Sequence, residues 1–422
     1  MASGKGGVGK TTFAVNFALA LSRRAPTILV DLDTGTSSVR SALSTPVSRD
    51  LYHFKKKDAR LTECITRLDG ANDPTGRFRN FGFIAGPRHF LDEVANPDVA
   101  FRRKLGVEIN TLPADYVVLD LRAGLDANVL DFLPYTNSGV LVFTPHLPQA
   151  SLSASDIVKA VLFRTLRLIF RRDSEVFRLP GFDEGHDLVH ELFDRAEDVY
   201  DDSVKNLDFV LKDLRDVFGD QPILQAIEWV IQDFRVHYVL NLFDGVQESH
   251  DAAIVPFVEN LSANVSSRLD MTQLGWIVAD PKVHRANCTG RPILLEREQE
   301  APKPKPSAPV QDPVMAELEA LRSSYLGIER KRPAKPGVSP VVREPQAVDT
   351  LLGEQLDALK AMFSDRKRDS VQQNFSYAVF RALNLMQPPR LPTEFGMTQI
   401  APPEQLVRWL LRRMQTATQP TA

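Results

Sequence analysis

Two cysteines, Cys64 and Cys288, are all that 422 residues carry. They are too few and too far apart for a disulfide framework, and neither sits in a CxxC metal or cluster motif. Each reads as a small packed or incidental side chain. Their scarcity fits a reducing cytoplasm. No uninterrupted apolar run reaches ~18 residues, so no membrane-spanning helix is expected. The opening Met-Ala-Ser-Gly-Lys has no apolar stretch of the signal-peptide kind. A charge excess is missing too: 51 Lys and Arg face 54 Asp and Glu, a net charge of -3. That leaves no global case for a polyanionic partner, although a local basic face stays open. With 43% hydrophobic residues the chain can bury enough apolar surface to offset its ordering entropy, which excludes disorder as a whole. The length suggests about two or three domains.

What is present alternates. Thr11 to Arg24 reads as a helix rich in Ala, Phe and Leu. Thr27 to Asp33, Tyr116 to Leu121, Gly139 to Pro145, Val236 to Phe243 and Leu274 to Asp280 read as buried strands. Short apolar runs separated by helical segments imply parallel strands with crossover helices, hence a three-layer α/β domain. A helical insert over 173–234 precedes the strand at Val236. Within it Val204, Leu207, Val210, Leu211, Leu214, Val217 and Phe218 recur at helical spacing. Residues 183–220 hold 13 acids and 4 bases, a local -9. Just upstream, 157–172 carries Lys159, Arg164, Arg167, Arg171 and Arg172 with no acid, a local +5. The plain expectation is two solvated faces that pair with each other.

After Arg297 two proline clusters, Pro302 to Pro313 and Pro333 to Pro345, mark a linker over 298–345 around a short helix, 314–330. From 346 to 422 a small helical module is expected, with Val348, Leu351, Leu352, Leu356, Leu359 and Phe363 on one apolar face. Its last segment, 404–414, sets Leu406, Val407, Leu410, Leu411 and Met414 in a stripe flanked by Arg408, Arg412 and Arg413, with Trp409 at the edge. Such a basic amphipathic helix either docks on protein or lies peripherally on anionic lipid.

The strongest signal is Gly4-Lys5-Gly6-Gly7-Val8-Gly9-Lys10-Thr11, a complete G-x-x-x-x-G-K-[ST]. The glycines let successive N–H groups converge on phosphate oxygens, and the following helix aims its N-terminus at the same anion. Lys10 supplies a point charge for the outer phosphates, and Thr11 a hydroxyl for Mg²⁺. Thr12 belongs to the same cradle. Such a loop ordinarily follows a central strand, yet only Met1, Ala2 and Ser3 precede Gly4. Either the sheet lacks that strand or the sequence begins a few residues late; the second is expected, because an empty central position would break both neighbouring ladders.

Lys5 makes the loop GKGGVGKTT, the deviant Walker A form, and here the chain resembles the MinD/ParA family of P-loop ATPases. The likeness continues in Asp31 and Asp33 of VDLDTGTSS, in Asp120 ending YVVLDLRAG, and in Asn241 of YVLNLF. It extends to Gly275-Trp276-Ile277-Val278-Ala279-Asp280 with Val283, Ala286, Gly290 and Pro292. It covers residues 1–297. The resemblance implies an ATP- and Mg²⁺-dependent homodimer in which Lys5 crosses to the partner's nucleotide. Asp33 would orient water, Asp120 and Asp31 would serve the metal, and Asn241 would contact adenine. Catalysis would rest on Lys5, Lys10 and Asp33. Each aspartate also has a plainer reading as a strand-end or turn residue.

Thr34-Gly35-Thr36 stands where the DNA-partitioning branch shows Pro-Gln-Gly, which places the chain nearer the cell-division and flagellar-placement branch. Arg122 stands where that branch has a small residue or proline; it either meets phosphate or pairs with an acid. The cysteine count removes the cluster-bearing relatives. The implied activity is an ATP-hydrolysing dimerisation switch, cytoplasmic or peripheral on the membrane's inner face, that works with an unidentified protein partner. The rivals are a DNA-partitioning ATPase, with nucleic acid the weaker partner class, and a nucleotide-binding adaptor with negligible turnover.

Overall fold

A computed structural model describes residues 1–33, 38–90, 92–179, 182, 186–198, 204–219, 221–296, 344–367, 369–386, 398–400 and 403–418. Thr34-Gly35-Thr36, linker residues 298–343 and the short helix within them lie outside these residues. Among the described residues six strands form: β1 (Thr27–Leu32), β2 (Phe81–Ile84), β3 (Tyr116–Leu121), β4 (Asn137–Phe143), β5 (Arg235–Phe243) and β6 (Asp270–Val278). The longer helices are α1 (Lys10–Ser22), α2 (Val99–Asn110), α3 (Pro148–Ile169), α4 (His186–Glu197), α5 (Leu207–Phe218), α6 (Pro222–Asp233), α7 (Val255–Asn264), α8 (Pro281–Cys288), α9 (Val348–Arg366), α10 (Val371–Leu385) and α11 (Pro403–Thr418). The fold is α/β with parallel sheets, as the alternation implies.

The strands pair in two parallel sets, β2-β1-β3 and β4-β5-β6. Every residue of β1 and β2 is buried, the pattern of parallel strands covered on both faces. Between β3 and β4 lie Met1 to Ser3. The Met1 nitrogen donates to the Leu119 carbonyl (2.7 Å) and Leu121 N–H to the Met1 carbonyl (3.2 Å). Ala2 N–H donates to the Val140 carbonyl and Val142 N–H to the Ala2 carbonyl, each at 2.9 Å. The central position is therefore paired on both sides where these residues reach.

The basic helix and the acidic insert do pair. On α3, Arg167 binds Asp194 (2.7 Å) and Glu197 of α4. Arg164 binds Asp131, a buried carboxylate that also accepts from Arg102 (2.5 Å). Arg171 meets Asp173. Asn206 caps α5 through the Asp208 and Phe209 N–H groups, while its amide donates to the Ser262 carbonyl (2.9 Å) beside it. This fixes the insert to α7.

The chain divides into two units, Met1–Glu296 with Val342–Leu411, and Arg297–Val341 with Arg412–Ala422. Of the second, residues 412–418 are described, and they are helical. In the first, α10 packs on β6 and α1, and α9 packs on α7 and β6. β6 ends the β4-β5-β6 order, so part of its main chain lacks a strand partner. Side chains of α9 and α10 meet those groups. Gln355 donates to the Met271 carbonyl (3.3 Å), and Arg381 to that of Gln273 (2.8 Å). Val278 N–H donates to Asn374 Oδ1 (3.2 Å). A capping box of Ser370 and Gln373 starts α10 at the right place for this. The stripe of α11 resolves to docking: Leu406, Val407 and Leu410 are buried in protein. The lipid contact considered for 404–414 needs those same side chains, so this arrangement does not offer them to a membrane. Among the described residues, no helix is long and apolar enough to cross a membrane.

Candidate functional site

Gly9 begins the site. Its φ of 81° lies in the left-handed region, which glycine adopts without steric cost, and α1 starts at the next residue. Gly4 packs so closely on Ser153 of α3 that a Cβ there would overlap the Ser153 main chain. Lys10, on the first turn of α1, is buried and its Nζ lies 2.5 Å from Asp120 Oδ1. Asp120 Oδ2 is buried with no hydrogen-bond partner among the described residues. Lys5, by contrast, is exposed on the loop.

Parallel pairing aligns Asp31 of β1 with Asp120 of β3. Asp31 is wholly buried. The Asp33 N–H donates to its Oδ1 (3.1 Å), and the Val39 and Gly86 N–H groups to its Oδ2 (3.3 and 3.4 Å). Burial, then the neighbouring charges of Asp120 and Asp33, push its carboxyl up to about 8. Asp31 thus ties Asp33 and Val39 to Gly86, just beyond the end of β2. Asp33 lies just beyond β1 and is half-buried.

Asn241, near the end of β5, is buried and donates to the Val8 carbonyl (2.8 Å). Arg122 reaches Asp126 (3.5 Å) and the Ala95 carbonyl (3.5 Å), so it meets an acid. Two ties had no signal in the sequence. Asn287 of α8 donates to Thr12 Oγ1 (3.0 Å), and Leu294 N–H donates to Asn16 Oδ1 (3.2 Å). They fasten α1 to the chain after β6, and only three-dimensional proximity reveals them.

The geometry therefore brings together Gly4 to Thr12, Asp31, Asp33, Asp120 and Asn241 around the end of α1. The donor set suits a phosphate with a hard cation. It combines a glycine loop at a helix N-terminus, a buried ammonium, and a carboxylate oxygen without a partner. The pattern of the CobQ/CobB/MinD/ParA nucleotide binding domain family matches residues 1–293.

The chain belongs to that family. Relatives include the septum site-determining protein MinD of Helicobacter pylori, 25% identical over 165 residues, or 38% of this chain and 56% of that protein. The flagellum site-determining protein YlxH of the same organism is 28% identical over 162 residues, 37% of this chain and 51% of that protein. The matches span about half the length of these relatives. Among solved structures, MinD from Pyrococcus horikoshii complexed with Mg-ADP is 18% identical, with a TM-score of 0.39 and coverage of 69% of this chain and 84% of that one. Family membership makes residues 1–293 a nucleotide-binding domain.

Proposed function

We propose that this chain is an ATP-binding and ATP-hydrolysing dimerisation switch that helps position a cellular structure such as the division site or the flagellum. One observation carries the reading. The buried Lys10–Asp120 pair lies under a GKGGVGKTT loop whose other lysine, Lys5, is exposed. In this reading Lys10 leaves Asp120 for the outer phosphates, and Thr11 with the second Asp120 oxygen holds Mg²⁺. When bound there, Mg²⁺ would supply charge neutralisation for the phosphate oxygens. Asp31 steadies the metal side from its bonded position, and half-buried Asp33 orients the attacking water. Lys5 reaches the nucleotide of a second copy, so ATP joins two chains. The names of the H. pylori relatives support a positional role.

The pairing of Arg164, Arg167 and Arg171 with acids weighs against DNA as the working surface. Residues 1–297 form the ATPase in this proposal, and 346–422 serve a cytoplasmic protein partner.

The test compares wild type, Lys10→Ala and Asp33→Ala with ATP or ADP, following turnover and oligomeric state. Wild type should dimerise with ATP alone. Lys10→Ala should not bind nucleotide, and Asp33→Ala should stay dimeric without turnover. A wild type whose oligomeric state ignores ATP sinks the proposal.

A further inference from the structure

We propose that Asn241 is a positioning residue of the phosphate loop: by holding the Val8 carbonyl it sets the direction of the Gly9 N–H. It thereby acts on phosphate binding and not on base recognition. The inference rests on the phosphate-binding reading of Gly4 to Thr12 and reassigns one residue within it.

The local backbone explains how a strand residue reaches the loop. β5 and β6 pair in register from Val239↔Gly275 to Asn241↔Ile277, then slip, so that Phe243 pairs with Val278. The extra residue, Leu242, takes φ 56°, a left-handed conformation uncommon for a non-glycine residue. This is a β-bulge, a device that re-aims neighbouring side chains. Leu242 faces outward while Asn241 and Phe243 stay buried. A bulky residue held in that region is strained and persists where its surroundings fix it.

The amide orientation follows from chemistry. An amide oxygen cannot face the Val8 carbonyl, so the group within 2.8 Å is Nδ2, donating. A trans peptide is planar, with its C=O and N–H on opposite sides. Pinning the Val8 oxygen on one side therefore fixes the Gly9 N–H on the other. Among the described residues that N–H has no acceptor. It is one of the unpaired N–H groups at the start of α1, the kind that receives an anion. Gly9 also leaves the amide its space, because a Cβ there would overlap Asn241 Nδ2. The loop and the amide fit each other before any ligand arrives.

A base-reading amide and a loop brace give different results with a ligand that has no base. The experiment measures Mg²⁺-dependent binding of ATP, GTP and inorganic tripolyphosphate to full-length wild type, Asn241→Ala and Asn241→Asp. Thermal melts establish that the variants are folded, and either variant alone suffices. For Asn241→Ala all three ligands should weaken by one common factor, on the order of tenfold, the worth of one hydrogen bond. Asn241→Asp should weaken all three further, because its carboxylate faces a carbonyl and nearby phosphate. In ¹⁵N-glycine spectra of the ligand-free alanine variant, the Gly9 amide should shift while Gly6 and Gly7 hold. A general loss of structure would move all three. Unchanged tripolyphosphate binding in Asn241→Ala, or a switch toward GTP in Asn241→Asp, overturns the proposal. If wild type binds ATP but not tripolyphosphate, the brace fails and the nucleotide reading survives. If wild type binds neither, both fall.

Discussion

The rings of Phe13 and Phe375 stand 6.0 Å apart, both buried, one on the helix that follows the phosphate loop and the other on α10. α10 is thus part of the core that holds α1. Phe375→Ala should destabilise the protein by about 3–5 kcal/mol, the usual cost of emptying a buried aromatic site. Urea unfolding measures it. Truncation at residue 345 should give an aggregating product, because it uncovers β6 along with Trp276 and Phe13. A soluble, stable 1–345 fragment would contradict this packing.

Lys10 and Asp120 shield each other's charge. Asp120→Ala leaves a buried ammonium alone and should cost about 3–5 kcal/mol without nucleotide. Adding Lys10→Met to Asp120→Ala should recover much of that loss. The check is a double-mutant cycle by urea unfolding; additive single effects would show the two to be uncoupled.

His237 lies in the core on β5, where burial pushes its imidazole down to about 4, against a smaller upward pull from Asp270. Its ordinary value is 6.5. Between these values the unfolded chain takes up a proton that the native chain refuses. Its contribution is therefore intact above pH 6.5 and lost as pH falls toward 4, by about 3 kcal/mol. Among the described residues His237 Nδ1 has no hydrogen-bond partner, so His237→Phe sacrifices no bond at that atom. The variant should lose less stability than wild type across that window in thermal melts at stepped pH.

Burial, with Asp50 next, pushes the Cys64 thiol up to about 11, whereas Cys288 is exposed. A maleimide at neutral pH should label one site per native chain, Cys288, and a second only in denaturant. Mass spectrometry of tryptic peptides identifies the sites. Fast labelling of Cys64 in the native protein would refute its burial.

The legible features were those with strong local signals. Residues 4–11 announce a phosphate loop through spacing alone, and five strands stand out as apolar runs. β2 did not, because Phe81 to Ile84 is four residues long and follows a polar stretch. The alignment of Asp31 with Asp120 was equally hidden, since register between strands about 90 residues apart leaves no local mark. An apolar stripe on α9 says that a face is buried but not that β6 lies under it. The charges of α3 and the insert suggested mutual pairing without naming partners. Arg167 with Glu197 fits that suggestion, while Arg164 turns instead to Asp131, outside the acidic run. Asn241 was found by resemblance, yet its bond to Val8 lies beside a bulge that sequence does not encode visibly.

Met1 and Ala2 join two half-sheets through four main-chain hydrogen bonds. One half bears the three carboxylates and the other bears Asn241. In the proposed reading a ligand seated on the loop would meet one bank directly and the other through Asn241 and the Val8 carbonyl, and so would act as a clasp across the seam. Opening along the seam then becomes costlier once the loop is loaded. Amide exchange at Val142, whose N–H spans the join, becomes a direct gauge of occupancy.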